Sequence, residues 1–177
     1  VKEFKIGEKR IQIARGNIVE QSDVEAIVNA ANAMLAPGGG VAGAIHRVAG
    51  PELYQECRQY APINPGEAVL TKGYRLPNKY VIHTLGPRYG IDKPEERLLN
   101  SCYENALKLA DRKGIKSVAF PAISTGVFGY PVEDAAKVAL TTIKEVLPSL
   151  ASVELVRMVL FSEADYQIHL DVAEKLL

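Results

Sequence analysis

The sequence predicts an α/β protein, a three-layer α/β/α sandwich around a mixed six- to seven-stranded sheet. Short runs of β-branched and apolar residues alternate along the chain with amphipathic helical stretches, the pattern of strands covered by helices. The first two strand-like runs are joined by a tight turn, which sets an antiparallel pair beside otherwise parallel neighbours. Size agrees: 177 residues, 47% apolar and 24% charged, suit one domain, residues 1–177, with a substantial core.

Lys2 to Ile6 and Arg10 to Ala14 alternate apolar and polar positions about the Gly7-Glu8 turn and read as a hairpin. Ala26 to Asn29 is a short buried strand, after which the chain passes through an Asn-containing loop and three glycines, Gly38 to Gly40, into an Ala-rich helix. Val69 to Gly73 and Tyr80 to Leu85 are two more strands, linked by the Leu76-Pro77-Asn78 turn. From Pro94 to Gly114 the period becomes helical. Pro94 and Glu95-Glu96 suit a first turn, Leu98, Leu99, Cys102, Ala106, Leu109 and Ala110 form one stripe, and Gly114 suits the stop. Cys102 therefore reads as a core residue. Val118 to Phe120 follows as a strand, Val132 to Val146 as a helix and Val153 to Phe161 as the last strand. Ser162, with Asp165 three residues on in place of the usual Glu of a capping box, opens a terminal helix through Leu177.

Composition excludes several classes of function. Lys plus Arg equals Asp plus Glu at 21 each, so the chain lacks the basic excess that would hold a nucleic acid, and any anionic ligand must be small and locally bound. Cys57 and Cys102 lie far apart without CxxC spacing, which indicates neither a zinc site nor a disulfide framework and makes a cytoplasmic location the expectation. No apolar run approaches the roughly 20 residues that span a bilayer, and VKEFKIGEKR has no signal-peptide core, so no membrane partner is expected. No His/Cys/Asp cluster suggests a metal, and no GxSxG elbow is present, Ser124 being followed by Thr-Gly.

Two loops carry the functional signal. Pro37 to Ile45 leaves backbone N–H groups uncovered by side chains, and the incoming helix adds the positive end of its dipole, a combination suited to a phosphate. Alone, a glycine triplet is equally well a flexible turn, and it matches neither the P-loop nor GxGxxG. Phe120 to Pro131 repeats the design, leaving a buried strand through a small-residue loop into a helix at the same carboxyl edge. Two such loops facing each other would clamp a diphosphate with backbone donors, which explains how a neutral chain could hold a doubly charged ligand.

Gly16-Asn17-Ile18, AIVNAAN, GGGVAGAIHRVAG, GEAVLTKGYRLP, YVIHTLGP and FPAISTGVFGYP, in that order from about Arg15 to Pro131, resemble the macro domain family. The resemblance implies a ligand, ADP-ribose or an ADP-ribosylated protein or metabolite, with no cofactor, and in some members hydrolysis of ADP-ribose linkages. By resemblance, Gly39, Gly40, Val41 and Ala42 on one side and Ser124, Thr125, Gly126 and Val127 on the other hold the diphosphate. Asn17 stands where the family places an Asp that accepts a hydrogen bond from the adenine amino group, next to the N–H of Ile18. An amide oxygen still accepts that bond but without charge assistance, and bonds to ionised groups are roughly twice as strong. Phe161 matches an aromatic presented to the adenine, with a core aromatic capping the strand as the alternative. Phe128 matches one beside the distal ribose. Asn32 is expected to point at the distal ribose hydroxyls, and Asn29 to bond only its local backbone.

Ala42 is a departure from the resemblance. Family members that remove ADP-ribose from acidic side chains usually carry an Asp there, which orients or activates water, and a methyl group does neither. The QEE-type acidic signature of the poly(ADP-ribose) glycohydrolases is also missing after the glycine triplet. Asn32 and His46 are left as the catalytic candidates. His46 would act as a base from the helix face of Ala42, a role that competes with a hydrogen bond to nearby backbone. His83 is expected to be a buried hydrogen-bonder, and His169 to lie in the terminal helix away from the loops. The expected function is ADP-ribose binding with modest hydrolysis of ADP-ribosyl esters, protein-linked or O-acetyl-ADP-ribose. A non-catalytic reader is the alternative.

Overall fold

Alternation of side chains along the strands divides the buried apolar residues into two sets, one on each face of a single sheet. In the computed structural model, which describes every residue, Val1–Leu177, the sheet has seven strands. These are β1 (Lys2–Ile6), β2 (Lys9–Arg15), β3 (Ala26–Ala30), β4 (Ala68–Lys72), β5 (Tyr80–Thr84), β6 (Ser117–Phe120) and β7 (Leu155–Leu160). Their order is β1-β2-β7-β6-β3-β5-β4. The hairpin pairs β1·β2 and β4·β5 are antiparallel and close the two edges, while β2, β7, β6, β3 and β5 run parallel.

Helices α1 (Gly40–Ala49) and α2 (Pro51–Cys57) cover one face, where Ile45, Ala49, Leu53 and Cys57 pack on Ile27, Val81, Ala119 and Val159. On the other face α3 (Glu95–Arg112), α4 (Val132–Val146) and α5 (Glu163–Leu176) pack on Val28, Ile82, Val118, Phe120, Val156 and Met158. Each fully buried Ile, Leu, Val or Met among these adds about 1.5–3 kcal/mol over its exposed state. The three-layer mixed α/β sandwich is thus as the sequence predicts, and Cys102 is a core residue with no exposure.

Two elements differ from the sequence expectation. Helix α2 is absent from it because Gly50, at φ 88°, breaks the helical path and only seven residues follow, too few to show a period, although Pro51 occupies the favoured first position. Strand β7 begins at Leu155 rather than Val153 because the Asp111 carboxylate at the end of α3 takes the amides of Ala151, Ser152 and Val153 at 2.6–3.0 Å. The same strand buries Arg157, 8% exposed. Its guanidinium donates to Gln12 and Gln21 and to both oxygens of Asp23, whose carboxyl is held below its ordinary range by that pairing.

The five parallel strands end together at Arg15, Leu160, Phe120, Ala30 and Thr84, so the segments that leave them emerge at one edge of the sheet. In open α/β sheets that carboxyl edge is where ligands bind.

Candidate functional site

The segment leaving β3 is shaped from within. Asn32 donates through Nδ2 to the Ala36 carbonyl (2.8 Å) and accepts through Oδ1 from the Ala36 amide (2.9 Å), which closes a tight loop. Leu35 sits inside it at φ 55° with its side chain fully buried, an uncommon backbone conformation held in place by packing. Gly38, Gly39 and Gly40 then lie across the start of α1. A Cβ on Gly43 would fall 2.2 Å from the Gly38 carbonyl oxygen, so the first turn of the helix packs backbone to backbone on the loop and only glycine fits there. Gly39 caps α1 without a side-chain hydrogen bond. The amides of Gly38 and Gly39 find no acceptor in the chain, and neither do those of Gly40, Val41 and Ala42 at the start of α1, the first intrahelical bond being from Gly43 to the Gly39 carbonyl (3.2 Å).

The segment leaving β6 mirrors this arrangement. Ser124 is buried at φ 70°, and its hydroxyl is packed so tightly under Gly86 that a Cβ there would lie 2.1 Å from Oγ. Thr125 Oγ1 donates to the Ala122 carbonyl (2.8 Å), and the Tyr130 amide donates to the Ser124 carbonyl (2.9 Å). The amides of Gly126, Val127 and Phe128 have no partner, and Val127 stands fully exposed at the tip.

Between the two segments runs a cleft of two connected cavities, about 420 and 550 Å³, both lined by Gly40, Val41, Ala122 and Gly126. Asn32, Ala42, Ser124 and Phe128 line one end. Asn17, Ile18, Thr125 and Phe161 line the other. The structure therefore gathers every residue of the expected ligand set at one cleft. Phe161 lies just past β7 and is 79% exposed, so it is not the core aromatic that was the alternative reading. Asn17 has a local duty that the sequence reading missed: Oδ1 caps the 3₁₀ turn Ile18–Glu20 through the Val19 amide (3.1 Å), leaving a second lone pair for a ligand.

Arg47 and Asp165 also line the Phe161 end. Arg47 is absent from the sequence expectation, although its i+7 spacing from Gly40, with Ala44 between them, is the signal that puts it on the same helix face. The sequence marks Asp165 only as part of a cap, and Ser162 Oγ does accept from its amide (3.1 Å), but Asp165 also lines the cleft.

His46 does not join the cleft. It is 6% exposed, edge-on to Tyr54 with ring centroids 6.1 Å apart, and neither nitrogen has a partner, which corrects the expected bond to nearby backbone. Burial keeps it neutral by lowering its pKa, but it lines neither cavity, and the geometry gives it no path to a reacting atom. Asn29 also departs from expectation. Its Nδ2 donates to Nδ1 of the fully buried His83 (3.1 Å), not to backbone, so the His83 proton sits on Nε2 and is donated to Thr71 Oγ1 (2.9 Å). His83 is thus the structural hydrogen-bonder expected, and His169, bonded to the Asp165 carbonyl, is buried in α5.

Burial, with the neighbouring His46 adding to it, pushes the His83 imidazole down from 6.5 to about 3. Below about 6.5 the unfolded chain takes up a proton that the native state refuses, so stability falls as pH falls and stops falling from this source near 3. His83 alone contributes a slope of up to about 1.4 kcal/mol per pH unit in that window. Urea unfolding between pH 4 and 7 is expected to show the decline, and His83→Gln to flatten it. An unchanged slope in that variant would assign the acid limb to other groups.

The family model described as Macro domain matches residues 28–139, the span from β3 into α4 that holds both loops. The chain is 52% identical over 155 residues to a macro domain-containing protein of Chlorobaculum tepidum, covering 87% of this chain and 88% of that one. To the ADP-ribose glycohydrolase MACROD2 of Homo sapiens it is 48% identical over 164 residues, 91% of this chain but 38% of that longer protein. A macrodomain of Oceanobacillus iheyensis, solved with ADP, has a TM-score of 0.94 at 42% identity and covers 99% of this chain and 95% of that one. Alike in sequence through the two loops and in backbone across the whole sheet, the chain belongs to the macro domain family.

Proposed function

We propose that the cleft binds ADP-ribose and ADP-ribosylated proteins or metabolites. The observation that carries this reading is the pair of segments whose unpartnered amides, at Gly38 and Gly39 with the first turn of α1 and at Gly126 to Phe128, border the same cleft. Oriented amides and a helix N-terminus stabilise a diphosphate without cationic side chains, in keeping with a net charge of zero. Phe161, exposed beside Asn17 and Asp165, offers the purine a face on which stacking adds about 1–3 kcal/mol in nucleic-acid systems. Phe128 is left for the distal ribose, together with the second Nδ2 proton and second Oδ1 lone pair of Asn32, whose amide otherwise holds the loop through Ala36 and so serves first as a shaping residue. Bound ADP in the Oceanobacillus relative and the name of the human one support the assignment.

Hydrolysis is the weaker half of the reading. The cavity at the Asn32 end is lined by no carboxylate and no imidazole, with Ala42 where an acid would serve. Turnover of an ADP-ribosyl ester then relies on the bound phosphate to position the water that attacks at the distal ribose or its ester, with the acceptor leaving as its carboxylate and the proton passing to solvent. The same absence favours the second reading, a reader without turnover. Calorimetric titration with ADP-ribose, followed by assays on a glutamate-ADP-ribosylated protein and on O-acetyl-ADP-ribose, separates the two. Tight binding with no product above buffer removes the hydrolase, and no binding removes both.

Asn17→Asp is expected to tighten ADP-ribose about five-fold by adding charge assistance to the adenine contact, a gain of about 1 kcal/mol, while keeping the Val19 cap. Equal or weaker affinity by calorimetry would place the adenine amino group elsewhere.

A further inference from the structure

Between α3 and α4, beside the end of the second loop at Tyr130, lies a groove of about 440 Å³. Tyr89 and Tyr130 form one wall, with ring centroids 4.9 Å apart. Tyr130 is 5% exposed, yet its hydroxyl makes no hydrogen bond and faces the groove. Glu95, Glu96 and Asp134 line the same space against a single cation, Lys137. Glu95 spends one oxygen on the Gly90 amide (3.0 Å), whereas Glu96 and Asp134 enter no ion pair. Burial, followed by the negative charge of Glu96, pushes the Tyr130 phenol up to about 12. A hydroxyl without a protein partner, on an otherwise buried side chain and open to the groove beside aromatic rings and free carboxylates, is matched by a cation with N–H donors, whereas the carboxylates repel an anion.

The groove is joined to the cleft through one loop. The Tyr89 amide donates to the Phe128 carbonyl (2.8 Å) and the Tyr130 amide to the Ser124 carbonyl (2.9 Å), and both Phe128 and Ser124 line the Asn32 end of the cleft. That end is where the proposed ligand would be joined to an acceptor protein.

We propose that this groove takes a lysine or arginine side chain that lies near the modified residue of an ADP-ribosylated protein, and so selects among acceptors. The proposal rests on the reading of the cleft as a site for protein-attached ADP-ribose. A partly exposed charge contact is weak alone, but a cation tethered to a ligand already held in the cleft meets the groove at high effective concentration.

The test compares two glutamate-ADP-ribosylated peptides, one with lysines flanking the modified glutamate and one with alanines, against free ADP-ribose. Each is titrated into the wild type, the Glu96→Gln/Asp134→Asn double variant, and Tyr130→Phe, which removes the hydroxyl and keeps the ring packing. The wild type is expected to prefer the lysine peptide about five- to ten-fold, less so at high salt, with the preference lost in the double variant and reduced in Tyr130→Phe. Free ADP-ribose should bind all three proteins alike. Equal wild-type affinity for the two peptides, or a preference that survives in both variants, overturns the proposal while leaving the cleft reading intact. Failure of free ADP-ribose to bind the wild type overturns the cleft reading and this proposal with it.

Discussion

Gly126→Glu is expected to abolish ADP-ribose binding and leave the fold intact. Gly126 lines both cavities, and a Cβ built on it meets nothing within 4 Å, so the new side chain is accepted by the loop and extends into the space the ligand needs. Its backbone lies outside the left-handed region, unlike Gly129 at φ 76°, and the substitution adds no conformational strain. Stability should stay within about 0.5 kcal/mol of the wild type, as for other exposed positions. Binding suffers twice. The carboxylate occupies the cleft and competes for the amides of Gly126 to Phe128, and it sets a negative charge beside a diphosphate. Two unit charges 4 Å apart repel by about 4 kcal/mol at an effective dielectric of 20, and 1.4 kcal/mol is tenfold in affinity, so a loss above about 100-fold follows. Calorimetry with thermal unfolding as control reads it out, and Gly126→Ala should bind nearly as well as the wild type. Retained affinity in Gly126→Glu would mean that the diphosphate lies away from the second loop.

That this loop matters was legible in the sequence, because strand, small-residue loop and helix recur in order and put backbone donors at one edge. The same local logic gives β1 and β2 their hairpin, α3 its stripe ending at Gly114 (φ 77°), and α5 its Ser162 cap. Features that depend on partners far along the chain were not legible. Asp111 fixes the start of β7 across some 40 residues, and Arg157 is tolerated inside the sheet only because Gln12, Gln21 and Asp23 converge on it. His46 shows the same limit at the site. Its spacing from Ala42 matches a shared helix face, but the ring is buried between Tyr54 and His83, residues distant in sequence from the loop, and lines neither cavity. Asp165 escaped for the opposite reason, since a cap explained it fully and left no residue-level signal for a second role.

Ala42→Asp is expected to raise turnover of an ADP-ribosyl ester about 100-fold, the lower end of what a positioned general base contributes. Ala42 is the third residue of α1, where a carboxylate is favoured by the helix dipole by about 0.3–1 kcal/mol, so the substitution suits the local structure. Although Ala42 is only 5% exposed, it borders the cavity that Asn32 and Phe128 line, and the added atoms enter that space and not the core. The nearby diphosphate makes the new charge unfavourable for binding, and affinity should weaken by severalfold while kcat rises. This opposite movement of binding and kcat separates a base acting on water from a general improvement of the site, which would tighten both. The gain should also disappear below about pH 4, where the carboxyl takes up a proton, whereas the residual wild-type activity has no carboxylate of its own at that end of the cleft to titrate. If kcat stays unchanged while ADP-ribose still binds, the water lies out of reach of this helix turn, and the bound phosphate alone sets what catalysis the cleft performs.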